Sequence, residues 1–82
     1  MELIITGLST AAWFRLEKVL RGLPYREEYT PFTETWDVLI TLTHGALFFA
    51  ADEKDLIVWR QFDGALTYRR IRSNEFRQIV VK

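Results

Sequence analysis

The sequence predicts one small α+β domain spanning residues 1–82. A short β-strand and one amphipathic helix precede a four-stranded antiparallel meander. A short C-terminal helix closes the chain, with a strand as the alternative for that last segment. Three observations carry this reading. Apolar residues recur at helical spacing between positions 12 and 20. From Trp36 onward, β-rich runs alternate with turn residues, Asp63-Gly64 above all. The chain has 82 residues, 49% of them hydrophobic, which supplies one core and not two.

Glu2 to Thr6 is a β-rich run that Gly7 is expected to end. Ser9 or Thr10 can cap the next helix by accepting a bond from a free first-turn N–H. That helix is expected to reach Arg21, with Ala12, Trp13, Leu16, Val19 and Leu20 on one stripe. Gly22 suits the left-handed position after a helix, and Pro24 blocks continuation. Phe14 falls on the opposite, charged side beside Lys18 and Arg21, as an exposed contact or under a loop. Residues 24–35 read as extended, compatible with an edge strand, and Pro31 bars a central one there.

The meander strands are expected at Trp36–Thr43, Ala46–Ala51, Leu56–Phe62 and Ala65–Ile71. His44-Gly45 and Asp63-Gly64 are two-residue turns, and Asp52 to Lys54 is a charged loop. After Ser73, a capping serine with Glu75 in the first turn argues for a short helix. The β-branched run Ile79-Val80-Val81 argues for a strand.

Turn length fixes register, and opposite residues share a face. The Asp63-Gly64 turn pairs Phe62 with Ala65, Trp59 with Tyr68 and Ile57 with Arg70. An odd loop at 52–54 would pair Phe49 with Ile57 and Leu47 with Trp59, and would keep the two faces unmixed. On that register Trp59, Leu47 and Tyr68 bury against the helix. Phe48, Val58 and Phe62 form an outer apolar patch, with Arg60 and Arg69 at its margin. Such a patch is covered from within or binds a partner.

Catalytic chemistry finds few residues to use. His44, the single histidine, has no signalled orienting partner for acid–base work. Without cysteine there is no disulfide and no thiolate chemistry, and a zinc site lacks ligands. Four scattered glycines form no phosphate-cradling pattern. Asp52, Glu53 and Asp55 carry oxygen ligands suited to a hard cation, but without EF-hand spacing they read as a solvated hairpin tip. The expectation is therefore no enzyme, no cofactor, no metal and no small-molecule substrate.

Eleven basic residues balance eleven acidic ones, so bulk attraction to nucleic acid or an anionic membrane is not expected. The balance hides a division. Glu27 to Asp55 holds seven acids and one base, whereas Leu56 to Lys82 holds six bases and two acids. Eight of the eleven bases are arginine, suited to planar bidentate contacts. No apolar run approaches a membrane span, and the N-terminus lacks the pattern of a signal peptide, so a cytoplasmic location is expected.

The expected function is therefore a non-catalytic protein-interaction module, binding a partner or a second copy of itself. Small adaptors, assembly subunits and phage-type inhibitors share this size and surface. The expected partner-binding residues are Phe14, Phe48, Val58, Arg60, Phe62 and Arg69. The alternative is nucleic-acid binding through Arg69, Arg70, Arg72 and Arg77.

Overall fold

A computed structural model of the protein describes residues 1–43, 47–52 and 54–82, with the side chains of Asp52 and Phe62 outside the description. Among the described residues the strands are β1 (Glu2–Ser9), β2 (Tyr25–Thr30), β3 (Thr35–Thr41), β4 (Phe48–Asp52), β5 (Asp55–Phe62), β6 (Ala65–Ile71) and β7 (Gln78–Val81). An α-helix, α1 (Thr10–Glu17), follows β1, and a three-residue 3-10 turn, Ser73–Glu75, precedes β7. The strands form two antiparallel sheets. One has the order β2-β3-β1-β7 and the other β4-β5-β6.

Three sequence expectations are corrected here. The meander is divided: β3 joins the first sheet, and Val38 pairs with Ile5 and Glu27 rather than with a residue of β4. The C-terminal segment is a strand, because the β-branched run of Ile79 to Val81 completes a sheet against Leu3 to Thr6. β1 does not stop at Gly7. The glycine sits at φ 69° in an irregularity between Ile5 and Leu8, and the strand continues to Ser9. A side chain there would lie 2.7 Å from the Arg77 Cβ, so the close approach itself requires glycine. The bulge also turns the Gly7 N–H toward Asp37 Oδ1, at 3.0 Å.

Ser9 caps α1, its hydroxyl accepting from the Ala12 N–H at 3.2 Å. Regular helix ends at Glu17, four residues earlier than expected, and tighter turns carry the chain through Leu20. The apolar stripe is as expected: Ala12, Trp13, Leu16, Val19 and Leu20 are all buried. Gly22 and the Asp63-Gly64 pair adopt the positive φ that their turns demand. The His44-Gly45 turn lies outside the described residues.

One core joins the two sheets. Leu3, Ile5, Leu8, Val38 and Ile40 come from the first, Leu47, Leu56, Val58 and Ile71 from the second sheet and its approach. The helix stripe completes it, and α1 touches β1, β3 and β6. Trp13 lies 5.5 Å from Tyr25 and 6.0 Å from Trp36, edge-on to the first and tilted to the second. Trp36 in turn packs 4.8 Å from Tyr29 and donates from its indole nitrogen to Thr10 Oγ1 at 3.1 Å. These rings tie the β2–β3 hairpin to the helix.

Candidate functional site: the outer face of the second sheet

Asp52 pairs with Asp55, Ala51 with Leu56, Phe49 with Val58 and Phe48 with Trp59. The β4–β5 connection is therefore even, two residues long, where the sequence predicted an odd loop. The β5–β6 register is the expected one, Trp59 opposite Tyr68 and Phe62 opposite Ala65. A one-residue change of register exchanges faces, and the consequence is large. Leu56 and Val58 turn inward and are buried, whereas Ile57 and Trp59 turn outward and are only partly covered.

The outer face carries an aromatic row across all three strands: Phe48, Trp59 and Tyr68, with Leu66 beside it. Phe48 and Trp59 stack with ring centroids 6.0 Å apart. Phe48 is 46% exposed, Tyr68 63% and Leu66 67%. An apolar groove of about 360 Å³ runs from this row toward the first sheet, lined by Met1, Leu42, Leu47, Phe48, Phe49 and Trp59. Such surface keeps water against large apolar groups, at about 25 cal/mol per Å² recovered on covering it.

The expected site residues do not gather in one place. Phe48 and Phe14 are exposed, on β4 and on α1. Val58 is fully buried in the core and is withdrawn from any contact surface. Arg60 faces inward: its guanidinium donates to the carbonyls of Val19, at 3.2 Å, and Arg21, where the chain leaves the helix. It ties β5 to the turns that follow α1, a role in the fold rather than at a rim. Arg69 donates to the neighbouring Tyr68 carbonyl at 2.7 Å. The Phe62 side chain lies outside the described residues. Trp59 and Tyr68, expected in the core, are what the sequence reading placed on the wrong side. The Asp63-Gly64 hairpin held the signal for pairing them, and only the parity of the preceding loop misled.

Within the basic cluster, Arg70 is engaged in an ion pair. Arg70 donates from Nε and Nη2 to Asp55 Oδ2 at 2.9 and 2.8 Å, and the Ser73 N–H donates to Asp55 Oδ1 at 2.9 Å. Arg15 on α1 donates to Glu75 Oε1 at 2.5 Å, and the Arg72 N–H donates to the same oxygen at 3.0 Å. The two carboxylates tie the 3-10 turn to α1 and to β5. Arg77 lies apart, against Gly7. Asp55, offered by the sequence as a cation ligand, is held by arginine instead. Glu53 lies outside the described residues, as does the Asp52 side chain, and no metal-binding group of three occurs among the described residues.

Both carboxyls titrate below their ordinary range. For Asp55 the Arg70 hydrogen bonds are the main cause, with the Ser73 amide next. For Glu75, burial pushes upward, and the Arg15 and Arg72 hydrogen bonds outweigh it. A depressed carboxyl contributes stability above its unfolded pKa and loses it as pH falls through the folded value. Stability is therefore expected to be level near neutrality and to decline below the usual carboxylate range of about 4. Glu75→Gln is expected to lower the melting temperature at pH 7 and to flatten its decline between about pH 5 and 2. A melting curve series over pH checks this, and an unchanged acid slope in the variant would contradict it.

No helix among the described residues is long and apolar enough to cross a membrane. Compared with protein-family models, curated proteins and solved structures, the chain matches none.

Proposed function

We propose that the protein is a small non-catalytic, cytoplasmic interaction module, an adaptor, assembly subunit or inhibitor of a larger complex. It binds a protein partner on the outer face of β4-β5-β6. The observation that carries this reading is the exposed aromatic row of Phe48, Trp59 and Tyr68 with Leu66, on the side of the sheet away from the core. Aromatic side chains fixed on a strand offer large apolar area at small entropic cost, which is why they anchor protein interfaces. Arg70 at the margin is already paired with Asp55, and the chain is neutral overall. Both facts favour an apolar protein surface over a phosphate backbone.

The test is site-specific photo-crosslinking in the source cells. A crosslinker at Leu66 or Tyr68 is expected to trap one partner, and the same group at Glu28 on β2 is expected to trap none. Tyr68→Asp and Leu66→Asp are expected to abolish the adduct while the circular dichroism spectrum is unchanged. Equal yields from positions 66 and 28 would remove the reading. So would a single-stranded oligonucleotide that quenches Trp59 at physiological salt.

A further inference from the structure

A sheet edge offers unpaired N–H and C=O groups, and proteins guard such edges with charge or with brevity. The described residues show four of them. β2 is guarded by Arg26, Glu27 and Glu28, and β6 by Arg69 and Arg70. β7 has only four residues, between Arg77 and Lys82. β4 is different. Its sequence is Phe-Phe-Ala-Ala-Asp, with no charge before its last position and no proline. Ala50 and Ala51 point to opposite faces, yet both are exposed, as residues of an uncovered edge are. The groove of Met1, Leu42 and Leu47 opens beside the same strand.

We propose that β4 is the seam of a two-fold dimer, in which it pairs antiparallel with β4 of a second copy to make one six-stranded sheet. The second copy is favoured over a foreign strand for three reasons. The first is self-complementarity: an antiparallel edge is its own partner about a two-fold axis, the commonest symmetry of homo-oligomers. The second is charge. Pairing centred on Ala50 sets the Asp52 position opposite Phe48 of the partner copy, so the only charged position of the strand does not meet its like. The third is that a short apolar strand is what the neighbouring groove accepts, main-chain bonds giving affinity and side-chain pockets giving register. Five residues span about 17 Å, less than a standard interface of about 800 Å² per partner requires. Met1, Leu42 and Phe48 add to it, and the dimer is expected to dissociate in the micromolar range.

This inference does not depend on the partner of the outer face, and different substitutions test the two. The chain contains no cysteine, so Ala50→Cys introduces a single thiol. In the paired edge its Cα lies about 5 Å from its own copy, within disulfide range. Ala50→Cys is expected to form a covalent dimer under mild oxidation, and Asp63→Cys at the far hairpin tip is not. Sedimentation of the wild type from about 1 to 500 μM is expected to show monomer passing to dimer. Amide exchange at 48–52 is expected to slow at least tenfold over that range. Ala51→Lys is expected to leave a folded monomer at all concentrations, whereas Tyr68→Asp is expected to dimerise as the wild type does. A wild type that stays monomeric at 500 μM overturns the proposal. A dimer that survives Ala51→Lys also does so, as does equal crosslinking from positions 50 and 63.

Discussion

Trp13→Ala is expected to cost about 3–5 kcal/mol, the usual toll of deleting a buried aromatic. A domain of this length is stable by about 4–12 kcal/mol, so the variant should melt near or below working temperature. Trp13 is 1% exposed and meets both Tyr25 and Trp36. Its loss therefore opens a cavity and releases the β2–β3 hairpin from the helix at once. Trp36 would keep its indole bond to Thr10 and its contact with Tyr29 but lose the ring of Trp13. Denaturant unfolding followed by circular dichroism measures the loss. A change below about 1 kcal/mol would mean the site collapses without cavity or strain, against the rigidity expected of a core ring.

The helix was legible because its signals agree. The stripe from Ala12 to Leu20 and the Ser9 cap follow from separate physical requirements, whereas Gly22 takes its positive φ beyond the regular helix, which ends at Glu17. The β5–β6 hairpin was legible for a similar reason, since Asp63-Gly64 admits little besides a two-residue turn. The loop before it carries no such signature. Nothing in Asp52-Glu53-Lys54 fixes its parity, and the alternation of β5 cannot decide, because Leu56 and Val58 are as apolar as Ile57 and Trp59. When both sides of a strand read as core, its inner side is chosen by tertiary contacts. Here the buried neighbours are Ile71 and Leu47. The central place of β1 was beyond reach too. It rests on β7, some 70 residues away, and on a bulge at Gly7 that local pattern reads as a strand end. The candidate site inherited that ambiguity. Phe48 was placed outward on either register, but its companions were exchanged for the buried set.

The exchange of faces yields the second large effect. Val58→Asp is expected to unfold the chain, and Tyr68→Asp is expected to leave it folded. Val58 is 0% exposed and lies opposite Phe49 on β4 and Arg69 on β6. A carboxylate there loses its hydration, a cost of several kcal/mol even when it escapes by protonating, and the Arg69 guanidinium opposite already donates to the Tyr68 carbonyl. That approaches the whole stability of about 4–12 kcal/mol. Tyr68 is 63% exposed, and its replacement gives up only surface contact with Trp59 across the strands. The odd-loop register predicts the opposite result at both positions. Far-ultraviolet circular dichroism and a melting curve on the two variants therefore decide the register directly. Folded Val58→Asp beside unfolded Tyr68→Asp would return Trp59 and Tyr68 to the core and take the proposed contact face with them.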